Sequence, residues 1–374
     1  MASYFSLLGL TTSSQIQAVP TAGIAILTSS QVAEITSTEL GYFSGVQISA
    51  LTSKQWPYLS TSAVLGIQSD QLQYIESADL PLLSTTQIAA LTSAQIPGLQ
   101  TWQVSLLSSR QLAAVTTSAL SGLPDDRIQA IGTASVSGLT TGLVAALSSS
   151  QVSQLSTSVF AKLTSLQVRA IETADIAGVS TNQVAAITTA QVAGLTTAQI
   201  AAFSSEQIGQ LTTRAFVNFS SLQLRAIDSG AVAALSTNVI ASLTSLSISG
   251  ILTSQLAQFT SNQLQAIETG DIRGLTTGQL VALSSNQVGQ ISTAAFGQLT
   301  STQLRSIETN DIAGVTTNQI LALSSTQVGQ LFTSQLAQFS SEQLQAIETN
   351  DVRGLTTTQI AGLSSNQVGQ LLTS

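Results

Sequence analysis

Apolar residues return along this chain on a fixed period of eight. One opens each octad, at Val19, Leu27, Ile35, Phe43, Leu51 and Leu59 and so on through Leu363 and Leu371. A second follows five places later, at Ile24, Val32, Leu40, Ile48, Trp56 and Val64 and onward through Ile360 and Val368. From Val19 to Leu371 the register never slips, and no change of composition marks a linker. The interval from Leu10 to Val19 is one residue too long, which sets residues 1–18 apart as an irregular N-terminal segment. Residues 19–374 read as one continuous octad-repeat solenoid, a single domain.

So short a period excludes most folds. In one continuous α-helix an eight-residue repeat drifts by about 80° per repeat, so no fixed apolar face forms. In a strand, a spacing of five then three throws successive apolar side chains onto opposite faces. A chain that turns once per octad escapes both objections. The consensus is apolar-[Ser/Thr]-[Ser/Thr]-x-Gln-apolar-x-x. In Leu195–Ala202, Thr196 stands at the N-cap and Gln199 at N3, which is a capping box. Leu195 and Ile200 then fall at N′ and N4, the two positions of a hydrophobic staple. One motif thus accounts for both polar and both apolar positions, and it predicts an all-α repeat solenoid of tandem one-turn helices. Thr and Val also favour strands, which leaves a β-solenoid with a turn in each octad as the alternative fold.

Glycine and proline agree with the helical register. Seventeen of the 25 glycines occupy the last two octad positions, Gly178, Gly194, Gly209, Gly274, Gly289, Gly314 and Gly354 among them, where a helix has to end and turn. Pro20 and Pro124 lie at the cap position, and Pro57, Pro81 and Pro97 at the seventh. None falls in the four positions between, where a missing N–H matters most. A single octad cannot fold alone. It buries two aliphatic side chains, worth about 1.5–3 kcal/mol each, against about 1–2 kcal/mol per residue for fixing eight backbones. Stability has to come from octads stacked into a continuous core.

Composition limits the chemistry. Histidine and cysteine are absent, and only 7% of residues are charged. Imidazole triads, His-ligated metals and haem, thiol nucleophiles and disulfides are thereby excluded. The serine hydroxyls have a structural task as caps, and no general base recurs beside one. Lys54 and Lys162 stand outside any phosphate-binding loop. The chain reads as no enzyme and as needing no cofactor or metal. A net charge of −8 argues against nucleic acid as a partner. Ser or Thr interrupts every apolar run, so no membrane span is expected. Trp56 stands in the core register, and Phe43, Phe203, Phe219, Phe259, Phe339, Phe160, Phe216 and Phe296 read as core substitutions.

A slower rhythm overlies the octads. The variant Ile-Glu-Thr-x-Asp-apolar-x-Gly occurs at Ile171, Ile267, Ile307 and Ile347, with weaker relatives at Ile75 and Ile227. Arg169, Arg225, Arg273, Arg305 and Arg353 lie beside these octads. A ladder of carboxylates suits Ca²⁺ in principle, but calcium loops need denser oxygen ligands. A solvated charged ridge with local ion pairs is the preferred reading. From Ile227 the spacing is 40 residues, or five octads, which marks either one superhelical turn or a history of duplication.

The chain closes on Gln370-Leu371-Leu372-Thr373-Ser374, partway into a new octad, with no evident polar cap. Its start carries Tyr4, Phe5, Leu7 and Leu8 in an irregular apolar segment that lacks the features of a secretory signal. Tyr4, Phe5, Leu7 and Leu8 meeting Leu371 and Leu372 of another copy would make a head-to-tail contact that propagates as a fibre, the partner being the protein itself. The octads also resemble the Leu-Thr-Thr-x-Gln-Val-x-x arrays of large bacterial secreted and adhesin-like repeat proteins, through motifs of the Thr196–Gln199 type along nearly the whole chain. That resemblance implies an extracellular or cell-surface location. A self-assembling filament is the preferred function, with an adhesin stalk or binding solenoid as the alternative. An ice-binding surface is a third reading, weakened because the cap threonines are committed to the backbone.

Overall fold

Each octad closes one short helix because its own side chains satisfy the helix start. In the computed structural model, which describes residues 3–371, the octad from Leu195 forms the helix Thr197–Ala201. Thr196 is extended at φ −80° and ψ 158°, and its hydroxyl accepts the N–H of Gln199 at 3.1 Å. Gln199 Oε1 accepts the N–H of Thr196 in return, at 2.9 Å. The same exchange recurs in both halves of the chain, for example between Ser180 and Gln183 and between Thr316 and Gln319. Among the described residues all regular elements are short α-helices or 3-10 turns, and none is a strand. The fold is an all-α repeat solenoid, and the β-solenoid alternative fails.

Both apolar positions point inward along most of the chain, though Ile360 is exposed and Val352 and Val368 half-buried towards the C-terminal end. Ile200, Val184, Ile320 and Leu344 are fully or almost fully buried at the second position, and Leu51, Leu99, Leu299 and Ile347 at the first. Trp56 and the eight phenylalanines read as core substitutions are all buried. Prolines at the seventh position sit inside 3-10 turns, Trp56–Tyr58, Leu80–Leu82 and Ile96–Gly98. Pro20 and Pro124 serve as N-caps, where no N–H is required.

The structure adds two details to the reading of the turns. The glycines at positions seven and eight do not supply left-handed turns, because Gly9 at φ 74° is the one described residue with a positive φ. They supply closeness instead. A Cβ on Gly314 would lie 1.9 Å from the carbonyl oxygen of Ser285, and one on Gly289 would lie 2.4 Å from that of Gly314. The irregularity also sits further upstream than Leu10 to Val19 suggested. Thr12 and Gln15 already form a regular capping box around Ser13–Gln17. The extra residue falls between that box and the preceding cap at Ser3, and Gly9 absorbs it.

The chain divides into two compact units, Met1–Leu195 and Thr196–Ser374. In the first, the helix Ser149–Gln154 packs on Thr173–Gly178, and Thr141–Ala145 on Ser165–Ala170, in each case three octads on. In the second, Ser285–Gln290 packs on Thr309–Gly314 and Thr277–Val281 on Ser301–Ser306, again three octads on. The return interval is therefore shorter than five octads, and the 40-residue rhythm of acidic octads does not mark a turn of the winding.

Candidate functional site

The amide of the fifth position does more than close a capping box. Gln47 Nε2 donates to the carbonyl oxygens of Ile16 and Val19, both at 2.8 Å and lying 31 and 28 residues back. Gln183 reaches Val152 at 2.9 Å and Leu155 at 2.7 Å, and Gln319 reaches Val288 at 2.9 Å and Ile291 at 2.7 Å, over the same two intervals. Each such glutamine is a rung between one turn of the winding and the turn before it. Its oxygen holds its own octad closed and its nitrogen ties that octad down, so a fully buried amide meets its hydrogen-bonding demand. The interval of 28 residues, about three and a half octads, recurs in both units.

A second set of links runs forward. Side chains at position seven donate to the position-eight carbonyl 25 residues on, as Gln17 does to Tyr42 at 3.1 Å and Ser49 to Tyr74 at 3.1 Å. The arginines near the acidic octads belong here. Arg225 Nε donates to Gly250 at 3.0 Å, Arg273 to Gln298 at 2.9 Å and Arg305 to Gln330 at 2.5 Å. The Arg305 guanidinium also lies 4.8 Å over the Phe332 ring. Instead of the local ion pairs expected for Arg225, Arg273 and Arg305, these side chains bind backbone of the following turn. Arg127 does pair with Asp126.

Two of the acidic octads invert the rung. An Asp at position five has no donor, and it accepts instead: Ser53 Oγ donates to Asp79 at 2.6 Å and Ser245 Oγ to Asp271 at 2.9 Å. Lacking the full box, most of these octads tighten into 3-10 turns, such as Thr173–Gly178 and Thr309–Gly314. Among the described residues no group of three or more acidic side chains is gathered as a cation site would require. Exposed Glu342 is held below the usual carboxylate range by a backbone hydrogen bond and by the Ser340 hydroxyl.

The residues named for assembly are placed unequally. Phe5 is buried and meets the Phe43 ring edge-on at 5.8 Å between centroids, while Tyr4 packs against Phe5 at 5.6 Å. Leu7 and Leu8 are exposed, at 70% and 56%, and Ile26 nearby is 80% exposed. Leu371 is buried and Leu372 lies outside the described residues. The Ser3 hydroxyl donates to buried Glu39, which also accepts from the Thr36 N–H and hydroxyl, each at 2.9 Å.

The rungs were not foreseen, yet the sequence carried a signal for them. A capping box accepts Glu as readily as Gln, whereas position five is Gln in octad after octad and Glu only at Glu39. The amide N–H₂ is what the carboxylate cannot supply.

No helix of the described residues is long and apolar enough to cross a membrane. A search of curated proteins finds no match. A family model, the ALTTAQ repeat, matches residues 72–109, 168–205, 185–213, 264–301, 304–341 and 344–374, together just over half of the chain. Its six letters are spelled here by the eighth residue of one octad and the first five of the next, with close variants at Ala90–Gln95 and Gly194–Gln199. With turns built on that motif in both units, the chain belongs to the ALTTAQ repeat family.

Proposed function

We propose that this protein is a structural element that assembles head to tail into filaments at the cell surface or outside the cell. The carrying observation is the rung. The contact between turns is one rule, glutamine amide to the carbonyls 28 and 31 residues back, repeated in both units. A contact of that kind is directional, with donors on one side of a turn and acceptors on the other. A second copy therefore meets the same rule that the chain applies to itself, and a heterologous contact of this sort does not close. Exposed Leu7 and Leu8 give the donor side an apolar edge.

Sedimentation velocity over a range of protein concentrations tests this reading. Species that grow with concentration and shrink in Leu7→Ser/Leu8→Ser support it, and a monomer at every concentration sinks it. These two positions test the contact better than deletion of the first nine residues, because deletion would also uncover Phe43.

One observation favours the adhesin or binding-solenoid alternative. Val46, Tyr74 and Trp102 are exposed and follow one another at 28 residues, the rung interval, with the Tyr74 ring directly over Gly45. An exposed apolar row of that kind suits a partner laid along the winding. Monomers that bind a partner through Trp102 would select this alternative.

A further inference from the structure

The rungs are not continuous, and in two places they fail in runs. Outside two stretches, every octad between Gln47 and Gln367 that lacks Gln at position five is flanked by Gln on both sides, as Ala63, Asp79, Val159 and Ala295 are. Two stretches differ. Ala119, Arg127, Ser135 and Leu143 occupy position five in four consecutive octads, and Ala231, Val239 and Ser247 in three. With a return interval of 28 residues, the first run covers a whole turn of the winding and the second most of one.

We infer that residues 115–146 and 227–250 are built-in seams, the turns at which the solenoid opens first under load or denaturant while the rung-bearing blocks beside them stay folded.

The first seam lacks more than rungs. Pro124 caps its helix without a side-chain hydrogen bond, and Gly132 stands where Ser or Thr caps elsewhere. Ala119 and Leu143 are buried but offer no donor. The Arg127 guanidinium is a partial substitute, its Nε donating to Leu99 O at 2.8 Å.

The second seam has an independent defect. A small, mostly apolar gap borders it, lined by Leu235, Ile240 and Leu243 of the seam and by Phe216, Leu224 and Ile251 of the octads beside it. Such a gap forfeits packing contacts. Leu222 and Leu246 lie exposed on the octads bordering it, and Arg225 supplies one link to Gly250. Both seams still accept rungs from the turn that follows, as Leu120 and Leu123 do from Gln151 and Val232 and Leu235 from Gln263, and what they lack are rungs of their own to the turn before. Local stability in a stacked-repeat chain is set by each repeat and its neighbours, so a turn held from one side only opens below the free energy of the rest.

Native-state hydrogen exchange of the full chain, read by mass spectrometry, tests the inference. Core amides in 115–146 and 227–250 should exchange about tenfold or more faster than those in 147–195 and 251–345. Ala119→Gln and Val239→Gln restore the consensus amide opposite Ile88 and Leu91, and opposite Ile208 and Leu211. Each should slow exchange about tenfold in its own seam and leave the other seam unchanged. Equal protection in seams and rung-bearing blocks of the wild-type chain overturns the proposal, and that comparison stands even if a substituted chain fails to fold. Correctly folded variants whose seams exchange as before also overturn it. Neither result depends on whether the protein forms filaments.

Discussion

An amide side chain has two donor hydrogens and two acceptor lone pairs, and Gln319 employs both ends. Its oxygen accepts the Thr316 N–H at 2.8 Å and its nitrogen serves Val288 and Ile291 one turn back. Gln319→Met keeps the shape and removes these bonds, leaving buried backbone carbonyls with fewer partners. The expected loss is about 2–3 kcal/mol, seen as a lower urea midpoint. Glycine offers a paired test. Gly314→Ala places a methyl against the Ser285 carbonyl and should cost about 1–3 kcal/mol. Gly278→Ala, with nothing within 4 Å of its new methyl and a helical position, should stabilise by up to about 1 kcal/mol. The box around Thr196 and Gln199 was legible because it is local, all within four residues. The rung was not, because 28 and 31 are not multiples of eight and arise only once the chain has wound back on itself.

At the scale of the element, the octad behaves as a cassette whose cap can be exchanged. Thr316→Ala should weaken its helix by about 1 kcal/mol, measured as faster amide exchange at Gln319. The positions of the acidic octads were visible in the sequence, and their geometry was not. A Glu at the cap and an Asp at position five remove the local box, and the turn tightens where Ser53 or Ser245 reaches across to the Asp. Because the carboxylates of the described residues are not gathered, millimolar Ca²⁺ should leave the melting temperature unchanged. A rise of several degrees would restore the cation ladder as an explanation. Position-eight glycine follows the same logic: the sequence showed where it falls, but its reason is the carbonyl of a residue 29 places earlier, as between Gly314 and Ser285.

For the whole molecule, fold class was legible because the apolar spacing of five and three admits few alternatives. The number of octads per return was not, since it depends on how closely Ser285, Gly314 and Gly289 let successive turns approach. The proposed filament rests on the repetition of one directional contact along each unit. The cap hydroxyls accept a backbone N–H and in many octads also donate to Gln Oε1, as Thr196 does to Gln199 at 3.2 Å, so they are engaged within the fold. An ice-binding role would show as thermal hysteresis, and none is expected. The most direct measurement is electron microscopy of the full-length protein at micromolar concentration. Long fibres of uniform width are the predicted result and would make the fibre itself the function. Discrete particles of single-chain mass at every concentration would contradict head-to-tail assembly.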